Sequence, residues 1–222
     1  MLVDLHVHTK LSSDANVAAE EYLAAAAERE PKLGAICFTE HRLYPADEAL
    51  DRTYDELAER FGVRIFKGIE ADTKLGHLLI FGVNQEIRRR FDLSDRLLKA
   101  EHLIEVVHGE GGIAIPAHPF RDSGYGDRLD DLLAKLGPAL STVEAINGQN
   151  SREQNASAVA AAEKLGLTAV GGSDAHFVTP RWFLTCATEL EREVATIAEL
   201  CEELRSGRAR PYFFPLRTNS DS

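Results

Sequence analysis

Six of the eight histidines stand on or beside the ends of short apolar, β-branched runs: His6, His8, His41, His77, His118 and His176. The other two, His102 and His108, fall within a helical stretch. Imidazole at a strand end is a ligand for zinc, manganese or iron, which bind its nitrogen at about 2.0–2.2 Å. His6-Val7-His8 places two imidazoles on one face of a strand, because side chains two apart share a face, while Val7 packs the other way. Asp174-Ala175-His176 repeats the spacing with a carboxylate and an imidazole, after the turn-forming Gly171-Gly172-Ser173. His41 and His118 each close a buried-looking run, and Glu70 closes the run 63–69. A carboxylate buried at such a place needs a partner, and it can bridge two metals, which imidazole does poorly. Singly, the His6-Val7-His8 pair is as readily two histidines on a wet strand end, a loop Asp-x-His is more often solvated than ligating, and a lone strand-end histidine such as His41 or His118 is more often a satisfied core or rim residue. Jointly they indicate a cation cluster, provided the fold gathers these strand ends at one rim.

The rest of the chain supplies elements that could do so. Apolar runs at 2–7, 34–38, 63–69, 78–83, 112–115, 143–146 and 168–170 read as strands. Helical patterns at 17–30, 45–61, 93–109, 128–136, 151–165 and 192–206 lie between or after them. Pro31 closes the first helical run, and Gly109, Gly166 and Gly207 follow later ones. Strand–helix alternation predicts an α/β fold, a distorted (β/α)7 barrel of mostly parallel strands with outer helices. Such a barrel brings the carboxyl ends of its strands together whatever their separation in sequence. One domain is expected over 1–214, with 215–222 a frayed tail.

Composition narrows the class. With 44% hydrophobic and 27% charged residues in 222, the chain is neither disordered nor fibrous. No apolar run reaches the ~18 residues of a membrane helix, and the N-terminus shows no secretory signal, so a cytoplasmic protein without membrane partners is expected. Three cysteines at unrelated spacings (Cys37, Cys186, Cys201) disfavour a disulfide framework. The net charge of −11 speaks against a broad grip on duplex nucleic acid, which rests on neutralising many phosphates, so no duplex partner is expected.

Five ordered motifs, Asp4-Leu5-His6-Val7-His8-Thr9, Thr39-Glu40-His41, Gly68-Ile69-Glu70, Ala117-His118-Pro119 and Gly172-Ser173-Asp174-Ala175-His176, give the chain a resemblance to the PHP (polymerase and histidinol phosphatase) family of metal-dependent phosphoesterases. The resemblance runs from Leu2 to about residue 210 and implies two or three divalent ions, zinc, manganese or iron, at the carboxyl face. It implies His6, His8, Glu70 and Asp174 on one ion. Glu70 would bridge to a second held also by His77 and His118, and a third would lie with His41, His176 and Asp14, where some members carry histidine. Thr39-Glu40-His41 departs from the frequent Thr-Asp-His, and His77 starts a predicted strand rather than ending one.

What the resemblance implies chemically is hydrolysis of a small phosphorylated metabolite by a metal-bridging hydroxide, for example histidinol phosphate or a nucleotide-type phosphomonoester. Asp174 or His176 would relay the proton. Arg121, just past His118, and Arg181 and Arg152 are candidates for binding substrate phosphate with a planar fork. Glu144, Asn147 and Asp72 would support ligands from behind, and Trp182 would cap the barrel. The competing readings are a non-catalytic metal-binding structural or regulatory module and an amidohydrolase-type zinc barrel. The latter would carry a metal-bridging lysine after a middle strand, for which the sequence offers no clear candidate.

Overall fold

The computed structural model describes residues 1–121 and 139–215. The helix expected at 128–136 and the tail beyond residue 215 lie outside these. Seven strands form one mixed sheet in the order β5-β4-β3-β2-β1-β8-β9, and β6 and β7 form a second, two-stranded one. In chain order they are β1 (Leu2–Val7), β2 (Ala35–His41), β3 (Arg64–Thr73), β4 (Gly76–Phe81), β5 (Ile113–Pro116), β6 (Thr142–Asn147), β7 (Thr168–Gly172), β8 (Cys186–Leu190) and β9 (Ala209–Phe213). The helices are α1 (Ala19–Ala27), α2 (Glu48–Phe61), α3 (Gln85–Arg90), α4 (Ala100–Gly109), α5 (Arg152–Leu165) and α6 (Ile197–Arg205).

The result is an α/β fold on a curled, mixed half-barrel sheet. β1–β2, β2–β3 and β6–β7 pair in parallel, while β4 is reversed and β8 and β9 run antiparallel to their neighbours. Reversal of β4 follows from its connection. Only Lys74 and Leu75 separate it from β3, and so short a link admits a hairpin but no crossover. β8, β9 and α3 do not stand out in the sequence: β9 is a strand without a fully buried residue and contains Pro211, a pattern confined to sheet edges.

β1 is the pivot. Leu2 and Val3 pair with β8, but at Val7 the neighbour changes to Ala175, just beyond β7. His8 N donates to Ala175 O at 2.9 Å and Asp174 N donates to His6 O at 2.7 Å. A register irregularity between Asp4 and Val7 accompanies the change, the kind of bulge that re-aims side chains beside active sites.

Apolar residues fill the curl below this rim and its outer face. Val3, Leu5, Cys37, Leu79 and Ile115 pack with Leu200 and Leu204 of α6. Phe38 and Ile36 pack on Tyr22 and Leu23 of α1, and Ile69, Leu78 and Ile80 on Leu103 and Val107 of α4. The three cysteines are buried and free.

Gly172 closes β7 where no side chain fits: a Cβ there would lie 2.6 Å from His6 Cβ and 2.7 Å from Glu144 Oε1. Gly172→Ala is therefore expected to cost about 1–3 kcal/mol by overpacking, lowering the melting temperature by roughly 2–10 °C. Thermal unfolding checks this, and an unchanged midpoint would show that His6 and Glu144 yield freely.

Candidate metal centre

Glu70 lies at the centre of the rim. Its register on β3 places it opposite His41 of β2 and Leu79 of β4, while Asp72 faces His77. Because β4 runs backwards, its start lies at the rim where β1, β2 and β3 end. This is how His77, the first strand-start histidine in the pattern, joins the others. Glu70 Oε2 lies 3.3 Å from His6 Nε2, 3.3 Å from His8 Nε2 and 2.8 Å from His41 Nδ1. Its Oε1 lies 2.8 Å from His77 Nδ1 and 2.9 Å from His118 Nε2. One buried carboxylate thus meets five imidazoles.

Asp174 closes the other side, its Oδ1 3.4 Å from His6 Nε2 and 3.3 Å from His8 Nε2. Asp14 Oδ2 is 3.1 Å from His41 Nε2 and 3.6 Å from His176 Nε2. All nine residues expected as ligands therefore converge. The donor atoms of eight of them, Asp14 excepted, form overlapping sets able to hold an ion: His6, His8 and Glu70; Glu70, His77 and His118; His6, His118 and Asp174; His8, His41 and His176.

Two observations fit divalent cations. His6 Nε2, His8 Nε2, His41 Nδ1 and Glu70 Oε2 are buried and meet one another without a well-aligned hydrogen bond, an expensive arrangement for polar atoms that a cation between them would relieve. Donors around a tetrahedral ion at ~2.0–2.1 Å stand about 3.3–3.4 Å apart, the spacing that links His6 and His8 to Glu70 and Asp174.

The surrounding bonds decide which nitrogen faces inward. His6 Nδ1 lies 2.9 Å from Glu144 Oε1, and a carboxylate only accepts, so Nδ1 carries the proton and Nε2 presents its lone pair. Ser12 Oγ gives its single proton to Glu40 Oε2 at 2.6 Å, so it accepts from His8 Nδ1 at 3.3 Å. His176 Nδ1 donates to the Asp174 carbonyl at 3.1 Å. Glu144 is thus where its strand-end position predicted, behind the ligands. Its Oε2 also accepts from His118 N at 2.9 Å and Asn147 Nδ2 at 3.0 Å. Glu40 is a residue whose role the motif did not reveal. It accepts from Thr9 N, Thr9 Oγ1 and Ser12 Oγ, holding the loop that leads to Asp14. The only signal was a carboxylate embedded in an apolar strand. Two of the ligand candidates, His118 (φ 32°) and Asp174 (φ 53°), occupy the left-handed region, a strain that surrounding structure must offset.

Arg121 is turned inward rather than open to solvent. Its Nη1 lies 2.7 Å from Asp174 Oδ2, Nη2 donates to Asn147 Oδ1 at 2.6 Å, and Nε donates to Asn150 Oδ1 at 2.9 Å. Arg152 and Arg181 are exposed and make no ion pair or hydrogen bond with the cluster among the described residues. Trp182 is half-buried, packed edge-on to His176.

Charges are strongly coupled. Burial opposes ionisation of Glu70, yet the histidines, His6 foremost, hold it well below the ordinary carboxylate range. Burial also opposes charge on His8, but Asp174 and Glu70 outweigh it and raise the imidazole to about 9. Burial and the nearby His8 charge lower His176. Desolvation lifts Asp4, which accepts from His6 N and Ser173 N, to about 7.

Fold and cluster define a metal-dependent hydrolase. The PHP domain profile matches residues 4–135, more than half of the chain, and the PHP-associated profile matches 152–209. The chain belongs to the PHP family. No curated protein matches it. Among solved structures it is similar to PsfC from Pseudomonas syringae, at 25% identity and TM-score 0.67, covering 96% of this chain and 91% of that one. A provisionally assigned metal-dependent phosphoesterase from Bifidobacterium adolescentis shares the fold at 17% identity and TM-score 0.56, covering 79% and 87%. Endonuclease Q from Pyrococcus furiosus shares it at 16% and 0.64, covering 95% of this chain but 57% of that one.

The last likeness corrects the charge argument. Endonuclease Q has been solved with a 27-mer duplex substrate, an abasic lesion at its active site, so the exclusion of duplex nucleic acid does not stand. Net charge averages the whole surface, whereas a phosphodiester would meet the cluster and its rim, where any bound cations would be the largest local charges. Among the described residues no helix is long and apolar enough to cross a membrane.

Two outcomes are expected from this geometry. Glu144→Gln puts an NH2 group in place of one accepting oxygen, facing either the Nδ1–H of His6 or the donors His118 N and Asn147 Nδ2, and should weaken metal binding by roughly 10–100-fold, measured by competition with a chelator. In protein stripped by chelator, His8 has a folded pKa of about 9 against an ordinary 6.5. A raised pKa stabilises the fold fully below the unfolded value, so this contribution should fade as pH rises from 6.5 through 9. Denaturant unfolding of stripped protein across that window checks it, and a stability that climbs there would contradict it.

Proposed function

We propose that the protein hydrolyses a phosphate ester, with a small phosphorylated metabolite carrying a phosphomonoester as substrate. The observation that carries this reading is Glu70, whose two oxygens each face a separate group of imidazoles. That is the arrangement of a carboxylate shared between cations. In this reading His6, His8, Glu70 and Asp174 hold one ion, and Glu70, His77 and His118 a second. His41, His176 and Asp14 hold a third, each ion being zinc, manganese or iron. Bound there, such ions make water nucleophilic near neutral pH and offset charge on phosphoryl oxygens.

The chain's own groups do the rest. Arg121 keeps Asp174 aimed at His6 and His8, and with five N–H donors it retains capacity for a phosphoryl oxygen. Arg152 and Arg181 would meet only parts of a substrate extending beyond the cluster. Asp174 is held ionised by His6, His8 and Arg121 against the cost of its burial, so it suits ligation better than proton transfer. His176, with its lowered pKa and 15% exposed side chain, is the better proton carrier toward a leaving alkoxide.

The same reading takes residues 1–214 as one domain and the curled sheet as a distorted (β/α)7 barrel. In support, β7 packs on β1 and β6 on β5, so β1 to β7 follow one another around the cluster. A second reading, a nucleic-acid phosphodiester as substrate, is favoured by the fold shared with endonuclease Q.

Gently purified protein should contain at least two equivalents of transition metal and release alcohol or phosphate from a panel of phosphomonoesters and diesters. His118→Ala should lower kcat at least ~100-fold with an unchanged circular dichroism spectrum. Intact metals with no turnover across the panel would sink the hydrolytic reading in favour of a metal-binding structural module.

A further inference from the structure

Phe177 follows the ligand candidate His176 and is 45% exposed. A single exposed apolar side chain is ordinary, but this one ends a continuous file of rings that begins inside the cluster. His8 and His176 have ring centroids 4.4 Å apart, His176 and Trp182 5.8 Å, and Trp182 and Phe177 5.2 Å. Trp182 is packed against the buried apolar cluster that includes Val7, Tyr22 and Phe183 and meets both neighbours edge-on, at 64° and 69°. It holds Phe177 outward from a fixed base. A molecule whose reacting group sits at the cluster must extend across the rim, and on this side the rim offers an exposed aromatic face. We propose that Phe177, braced by Trp182, forms a subsite for a flat aromatic group on the substrate. Phe177 is then the residue that sets specificity for the portion beyond the phosphoryl group. The inference rests on the phosphoester reading for the orientation of the substrate, but the shelf itself can be tested without turnover.

Trp182 is the chain's only tryptophan, so its emission reports on the shelf directly. Gently purified protein would be titrated with benzylphosphonate and cyclohexylmethylphosphonate, which share an anionic head and differ in the flatness of the ring. Benzylphosphonate is expected to bind roughly three- to tenfold more tightly, the range of one aromatic pair. Phe177→Ala should erase the difference, and Phe177→Tyr should preserve it. Equal affinities in the unaltered protein, or a preference that survives Phe177→Ala, would overturn the proposal. Adenosine 5′-monophosphate and a 5′-phosphorylated trinucleotide separate the sources of the ring. Tighter binding of the trinucleotide assigns it to a strand end, and comparable affinity assigns it to a free small molecule. Phosphate release from benzyl phosphate is followed in parallel. Its absence alongside an intact binding preference removes the hydrolytic reading and leaves the aromatic subsite standing.

Discussion

A buried carboxylate surrounded by histidines is the constraint on which the molecule turns. Glu70 is 1% exposed and lies within 3.3 Å of five imidazole nitrogens. Removing so many ionisable groups from water is costly unless opposite charges meet them. Two carboxylates, Glu70 and Asp174, face six imidazoles at close range, and cations between them would complete the pairing. The strain at His118 and Asp174, the bulge in β1 and the absence of a side chain at Gly172 all serve to bring these atoms together.

The layer behind the ligands is organised as strictly as the ligands. Carboxylates, a hydroxyl and a carbonyl take the Nδ1 protons of His6, His8 and His176, directly or through Ser12, so that each Nε2 points to the centre. Outer partners of this kind fix both ring orientation and basicity. Glu40 illustrates the dependence of one element on another: a β2 side chain holds Thr9 and Ser12, and through them the loop reaching Asp14.

Much of this was legible in the residues. The seven strands expected from apolar runs are present, and Ser151 and Gly166 bound α5 as its capping residues. The nine ligand candidates converge. Less legible were features that depend on the sheet's path. His77 looked misplaced at a strand start because nothing local states that β4 runs backwards. Arg121 looked like a free phosphate binder because its partners Asn147, Asn150 and Asp174 lie 26 to 53 positions away. The acidic net charge suggested no duplex nucleic-acid partner because a sum over the chain has no geometry.

By itself, the sequence determined the chemistry available: donor types, their place at strand ends, and the apolar runs that make those strands, since both follow from side-chain type and short-range periodicity. Tertiary structure decided which donors lie close enough to share an ion, which nitrogen each histidine presents, and which residues stand behind them. Those are matters of distance and direction between segments up to 170 positions apart, from His6 to His176. Only the curl of the sheet, the reversal of β4 and the switch of β1 from β8 to Ala175 bring such segments within bonding reach.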